Sequence, residues 1–227
     1  FIFNETRQPY DYLIAFDDFH TELKPLCPPE NIIHLATEPN IVYRYDKEFL
    51  AQFSYVITQD KGSEHPHKIY WQPGLTWFLG WTPGNRKEAR TLSYAALQAL
   101  FDQPKTKLLS VISSNKTDTE DHVRRLEFAQ RLKAHYGDQI DFYGRGFAQM
   151  DDKLDALSEY RFNVVLENSS MDDYFSEKFT DCVIAGCYPI YHGCPNLESY
   201  FPEHAFARID INDFEGTVKV IDACIQN

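Results

Sequence analysis

The chain is short of several things, and each shortage closes off a class of function. No stretch of its 227 residues approaches the roughly 20 consecutive apolar residues of a transmembrane helix. No signal peptide is visible; the chain opens in mid-stream at Phe1, which leaves room for an upstream segment. Positive charge is in deficit. Lys and Arg number 22 against 34 Asp and Glu, a net charge of −12, which argues against a nucleic-acid backbone as partner. The five cysteines, Cys27, Cys182, Cys187, Cys194 and Cys224, include no C-x-x-C pair. That argues against zinc and for buried free thiols in a reducing compartment. The acidic pairs Asp17-Asp18, Asp151-Asp152 and Asp172-Asp173 are adjacent rather than spaced as D-x-D, so shared cation coordination is not signalled. The eight histidines show no ligand spacing, and His65 and His67 flank Pro66 in what reads as a loop. No metal site, internal repeat or low-complexity tract is expected.

What is present builds a core. Hydrophobic residues make up 43% and aromatics 15%, with 17 Phe and 14 Tyr, in a length that suits one large domain or two small ones. In the first half, apolar runs at 10–16, 31–37, 53–58 and 69–72 read as strands, with a short helix at 45–53 between them. Pro73-Gly74 and Pro83-Gly84 punctuate the middle. Residues 77–87 therefore read as irregular, and 91–101 as helical. In the second half, 108–112 and 140–143 read as strands and 124–135 as a helix with Leu126, Ala129 and Leu132 inward. Thr117 and Glu120 have capping-box spacing before that helix. Further helices are expected at 153–158 and 214–225 and a last strand at 205–209. Strands alternating with helices mean an α/β fold.

The most informative stretch is 161–191. Phe162 to Leu166 is a nearly continuous apolar run that suits a strand buried on both faces. Glu167 and Asn168 end it, and a polar loop runs to Tyr174. Ser176 can cap a helix whose apolar face is Phe179, Val183 and Ile184, with Gly186 at its C′ position. Cys187 to Tyr191 is a second apolar run. A strand–helix–strand unit of this kind pairs in parallel and binds ligands beyond the carboxyl ends of its strands. Lys178 lies in the helix's first turn, where a cation is unfavourable unless an anion is near. A lysine at a helix N-terminus suits a diphosphate; the other reading is a solvated charged turn.

The wording of this stretch resembles a known family. Tyr160-Arg161-Phe162-Asn163, Leu166-Glu167-Asn168-Ser169, Asp173-Tyr174-Phe175-Ser176-Glu177-Lys178 and Gly186-Cys187-Tyr188-Pro189-Ile190-Tyr191-His192-Gly193 stand in order and spacing like the signature of the α-1,3/4-fucosyltransferases, glycosyltransferase family 10, in its bacterial type. Leu166 replaces the usual Phe and Ser176 the usual Thr. The resemblance is strong over 108–215 and weaker over 31–60, and 61–105 match little. It implies a GT-B architecture, two Rossmann-like α/β domains facing a cleft. The boundaries are set at 1–95 for an acceptor-side domain and 96–227 for a GDP-sugar donor domain. It implies an inverting transferase that moves L-fucose from GDP-β-L-fucose to a hydroxyl of an oligosaccharide or lipid-linked glycan. GDP-fucose is then a substrate, no cofactor is required, and a divalent cation would at most stimulate.

The resemblance also implies roles. Arg125, in Ser114-Asn115…Arg125-Leu126-Glu127-Phe128, takes the diphosphate-binding position, with Arg124 next door as the alternative register. Arg145, in Phe142-Tyr143-Gly144-Arg145-Gly146, is a donor-site candidate, where positive φ at either glycine would bring backbone N–H groups to a ligand. Glu167, Asn168, Tyr174, Glu177 and Lys178 hold the nucleotide and sugar. Lys153 matches a lysine some members use, and otherwise reads as a surface helix lysine. Glu38, in Thr37-Glu38-Pro39-Asn40, takes the general base position; Asp17, Asp18 and Asp60 are rivals at other strand ends. The catalytic set is Glu38, Arg125 and Lys178. The alternatives are a relative using another GDP-sugar and a glycan- or nucleotide-binding module without turnover. Without an anchor or stem, the chain suits a cytoplasmic enzyme, with room for a peripheral place at the inner membrane.

Overall fold

The computed structural model describes residues 8–17, 22–74, 77–81, 92–101 and 103–226. The chain divides into two compact units: Phe1–Leu75 with Asp172–Tyr174, and Thr76–Met171 with Phe175–Asn227. Each unit is α/β with its own parallel sheet.

The first sheet takes its strands in chain order: β1 (Leu13–Phe16), β2 (Ile32–Leu35), β3 (Tyr55–Thr58) and β4 (Lys68–Tyr70), all parallel. Helix α1 (Lys47–Leu50) joins β2 to β3 and packs Phe49 and Leu50, with Phe53, on Ala15 and Val56. His34 is buried on β2 among the rings of Tyr45, Phe49 and Phe53.

The second sheet has the order β6-β5-β7-β8-β9, again all parallel. Its strands are β5 (Lys107–Ile112), β6 (Ile140–Tyr143), β7 (Tyr160–Leu166), β8 (Tyr188–His192) and β9 (Ala207–Arg208). Its helices are α2 (Tyr94–Phe101), α3 (Glu120–Tyr136), α4 (Leu154–Leu157), α5 (Glu177–Ile184) and α6 (Phe214–Gln226). One core packs Phe128 and Leu132 of α3 and Val218 and Ile221 of α6 on Leu109, Val111, Val164 and Ile190. The other packs Leu97, Leu157 and Phe179, from α2, α4 and α5, on Val165 and Tyr191. Covered strands explain the apolar run in β7. Within it Asn163 is buried and gives its Nδ2 to Ser110 Oγ at 2.7 Å, while Ser110 Oγ donates to Ala156 O at 2.6 Å. This polar rung ties β7, β5 and α4 together with its partners satisfied.

The chain leaves β5 for β6 on one side and then crosses to β7 on the other. That reversal is a topological switch point, with the crevice at the carboxyl ends of β5 and β7. The α3 cap differs from the sequence expectation. Thr119, not Thr117, is the N-cap, its hydroxyl accepting from the His122 amide at 3.2 Å, and the helix starts at Glu120. Ser176 caps α5 as expected, and Gly186 follows it with φ 69°. Asp18 and most of the expected irregular segment 77–87 lie outside the described residues. Among the described residues no helix is long and apolar enough to cross a membrane. All five cysteines are free; Cys182, Cys187 and Cys194 are buried, Cys27 and Cys224 half-buried.

Candidate active site

A cleft of about 340 Å³ opens at the switch point of the second unit. Its floor comes from the end of β5 at Ile112 and three chain exits: Ser113-Ser114 after β5, Gly144-Arg145 after β6, and Asn168 after β7. Glycine is required at the middle exit. Gly144 has φ 109°, and a Cβ there would lie 2.0 Å from Ser113 O; Gly146 has φ 88° and would meet Asn115 Cβ at 2.8 Å. The turn therefore lies flush against the β5 exit, joined to it by Ser113 N to Tyr143 O at 3.0 Å and Asn115 N to Arg145 O at 2.9 Å. Both φ values are positive, but the Gly144 N–H closes its own turn onto Ala148 O at 2.9 Å rather than facing the cleft.

Five of the donor-site candidates, Arg125, Arg145, Asn168, Glu177 and Lys178, line this cleft. Arg125 is only 5% exposed and gives Nη1 to Asn168 Oδ1 at 2.5 Å. Arg124 is exposed and pairs along the helix with Glu120 at 2.7 Å. Of the two registers, Arg125 is the one on the cleft wall. Arg145 is exposed at the rim. Tyr174 is 1% exposed and belongs to the Asp172–Tyr174 segment counted with the first unit.

Glu167 is placed differently from the other candidates. It is 3% exposed, and its carboxylate accepts from Ser176 N at 2.8 Å and Ser176 Oγ at 2.6 Å. Lys178 Nζ lies 3.6 Å from it, 3.6 Å from Glu177 Oε1 and 3.0 Å from Ser176 Oγ. Glu167 thus sets the cap and the lysine from behind. Lys153, which the chain pattern also allowed as a surface residue, lines the cleft and bonds Glu177 Oε1 at 3.1 Å and Asp181 Oδ2 at 2.7 Å. Asp181, which sequence reasoning missed, is wholly buried and also accepts from Phe78 N at 2.9 Å. Burial alone would raise the Glu177 carboxyl, but Lys178 and Lys153 outweigh it and hold the group at about 2. Burial pushes Asp181 up, against the pull of Lys153. Two lysines fixed among carboxylates hold their ammonium groups in place before any ligand arrives, so little reorganisation is left for binding.

The rival carboxylates of the first unit separate by their partners. Asp17, at φ 53°, accepts from Thr37 N at 3.0 Å, from the Thr37 hydroxyl and from Tyr45 Oη at 2.5 Å. Burial, then Asp17, pushes the Tyr45 phenol well above its ordinary range. Asp60 accepts from Asn40 Nδ2 and from its own turn at Gly62 N. Glu38 lies half-buried on the wall of a cleft of about 750 Å³ in this unit, beside Asn40, Tyr43 and Tyr45. Gln59 Nε2 holds its carbonyl at 2.9 Å. Asp17 therefore serves as the clamp for the turn that carries Glu38. Among the described residues no group of three His, Cys, Asp or Glu is placed to hold a metal.

Residues 102–224 match the family model described as glycosyltransferase family 10 (fucosyltransferase), C-terminal. The chain is 24% identical over 214 residues to alpha-(1,3)-fucosyltransferase B of Drosophila melanogaster, covering 84% of this chain and 44% of that protein. It is 24% identical over 218 residues to GDP-fucose protein O-fucosyltransferase 3 of Danio rerio, covering 87% of this chain and 44% of that one. The fold matches a crystal structure of an alpha1,3-fucosyltransferase with GDP-fucose at a TM-score of 0.57 and 16% identity, over 97% of this chain and 79% of that chain. The chain thus spans 44% of the length of the two curated relatives.

Proposed function

Since the chain belongs to glycosyltransferase family 10, the fucosyltransferases, we propose that it transfers L-fucose from GDP-β-L-fucose to an acceptor hydroxyl with inversion at the anomeric carbon. One observation carries this reading. A buried arginine, Arg125, and a half-buried lysine at a capped helix N-terminus, Lys178, line one cleft at the switch point of a parallel sheet. Such a place favours a nucleoside diphosphate: helix N–H groups and fixed cations meet its charge.

In the proposed reaction Glu38 takes the proton from the acceptor hydroxyl. The freed oxygen attacks the anomeric carbon, and the bond to the β-phosphate breaks on the opposite face. Arg125 and Lys178 stabilise the charge that develops on the departing diphosphate. Asn168 orients Arg125, and Glu177 accepts hydrogen bonds from sugar or ribose hydroxyls. A single displacement of this kind turns a β-linked donor into an α-linked product. The acceptor is proposed to be a glycan hydroxyl. A hydroxyl of a protein is a second reading, favoured by the likeness to a protein O-fucosyltransferase.

A thermal-shift panel of GDP-fucose, GDP-mannose, GDP and UDP tests the donor. A ligand present at ~100 Kd adds about 2.7 kcal/mol to the folded state. GDP and GDP-fucose should raise the midpoint and UDP should not. Equal shifts with GDP and UDP would remove the guanine assignment, and no shift with any of them would remove the donor site. Release of GDP on mixing GDP-fucose with glycan and with protein acceptors then decides between the two acceptor readings.

A further inference from the structure

Two polar side chains on the wall of the donor cleft have no role so far. His122 is 5% exposed and Ser113 is 6% exposed, and both line the cleft. His122 Nδ1 and Ser113 Oγ are buried without a hydrogen-bond partner among the described residues. A native fold keeps few such groups, because an unmade buried hydrogen bond is expensive. Their partner is expected to be something that enters the cleft. Their surroundings say what kind. His122 sits in the first turn of the 17-residue helix α3, where amide groups favour an anion, and Arg125 follows one turn later. Lys116, Arg145, Lys153 and Lys178 line the same cleft. Burial, then Arg125, holds His122 below its ordinary value, so the ring is neutral before a ligand arrives. It then has one ring N–H to donate. The Ser113 hydroxyl supplies a second donor, at the β5 exit that Gly144 presses against.

We propose that His122 Nδ1 and Ser113 Oγ bind phosphate oxygens of the donor, forming with Arg125 one side of a diphosphate seat. This rests on the reading of the cleft as a GDP-sugar site. Calorimetric titration of the full chain with GDP and with guanosine tests it. His122→Leu and Ser113→Ala should each weaken GDP by ~10-fold or more, the range expected of hydrogen bonds to a charged group. His122→Asn, whose side-chain amide places an N–H near the position of Nδ1, should return to within ~3-fold of the parent. Guanosine affinity should be unchanged in all three, and the midpoint of the ligand-free protein should not fall, since no internal partner is lost. If the parent binds no GDP, the donor reading itself fails. If the parent binds GDP and both removals leave its affinity unchanged, the pair has no such role. Equal losses for GDP and guanosine would give the pair to the nucleoside and overturn the proposal. Should His122→Leu lose the fold, Ser113→Ala and His122→Asn carry the same test.

Discussion

Lys178 is the residue on which the proposed chemistry leans most, and its surroundings set what its loss should do. Its ammonium lies between Glu167 and Glu177, 3.6 Å from each, on the cleft wall. Lys178→Ala removes the cation proposed to meet the leaving group, and turnover should fall by ~10²–10³, or about 2.7–4 kcal/mol in the barrier. It also leaves two buried carboxylates without one of their cations, so a smaller fall in the melting midpoint should accompany it. Arg125→Ala should behave alike. Arg124→Ala should leave both quantities near the parent, because an exposed pair with Glu120 is worth little. Steady-state rates and melting curves of the three variants check this. Near-normal turnover in the first two, or damage from Arg124→Ala, would remove the assignment. The charged residues were legible because their motif spacing was legible. Asp181 and the true setting of Lys153 were not. They meet across 28 residues of chain, through a turn of α5 that only the fold brings to α4.

At the scale of elements, apolar runs and helix caps located most of the strands and helices of both sheets. The start of α3 slipped because Thr117, Asp118 and Thr119 are three capping residues in succession; capping-box spacing to Glu120 picks out Thr117, whereas the fold uses Thr119. His122 and Ser113 carried no signal at all, since what marks them is a missing partner in the folded chain. The two turn glycines were read for their φ; their closeness to the β5 exit was not legible, because it depends on the β5–β6 register. That closeness is open to test. Gly144→Ala forces a Cβ to within 2.0 Å of Ser113 O, whereas Gly137→Ala, at φ 57°, meets nothing within 4 Å. Gly137→Ala, at φ 57° and ψ −123°, should cost only its backbone strain, about 1–3 kcal/mol. Gly144→Ala should cost more in stability and also weaken GDP, because Ser113 must move. Equal melting midpoints for the two variants, with GDP affinity intact, would contradict the packing described for the turn.

On the scale of the molecule, the proposed chemistry is divided between units that each have their own sheet and core. The cleft assigned to the donor is built within the second unit, while Glu38 lines the cleft of the first. Glu38→Gln should therefore leave GDP affinity within error of the parent and lower transfer by ~10²–10⁴. Slow hydrolysis of the donor by water, where solvent accepts the proton, should suffer less. Titration with GDP alongside transfer and hydrolysis rates reads all three, and a transfer rate near the parent's would move the base elsewhere. The α/β class and the parallel sheets were legible from alternating runs. Between Pro73 and Phe101 the helix expected at 91–101 was legible, and α2 lies within it; the residues before it carried no period, because Pro and Gly punctuate them.

The free thiols of the second unit give it a fixed order of chemical ageing. Oxidants attack thiolates that they can reach. Cys182, Cys187 and Cys194 are buried in the core that α5 helps to build, and burial raises the Cys182 thiol well above its ordinary range. Within this unit an oxidant therefore meets half-buried Cys224 first. It reaches Cys182, which is on α5 and fully buried, only after α5 has lifted from the sheet, and α5 carries Lys178 at its start. Oxidative damage to Cys182 is thus a record of the proposed donor site already lost, not the cause of its loss.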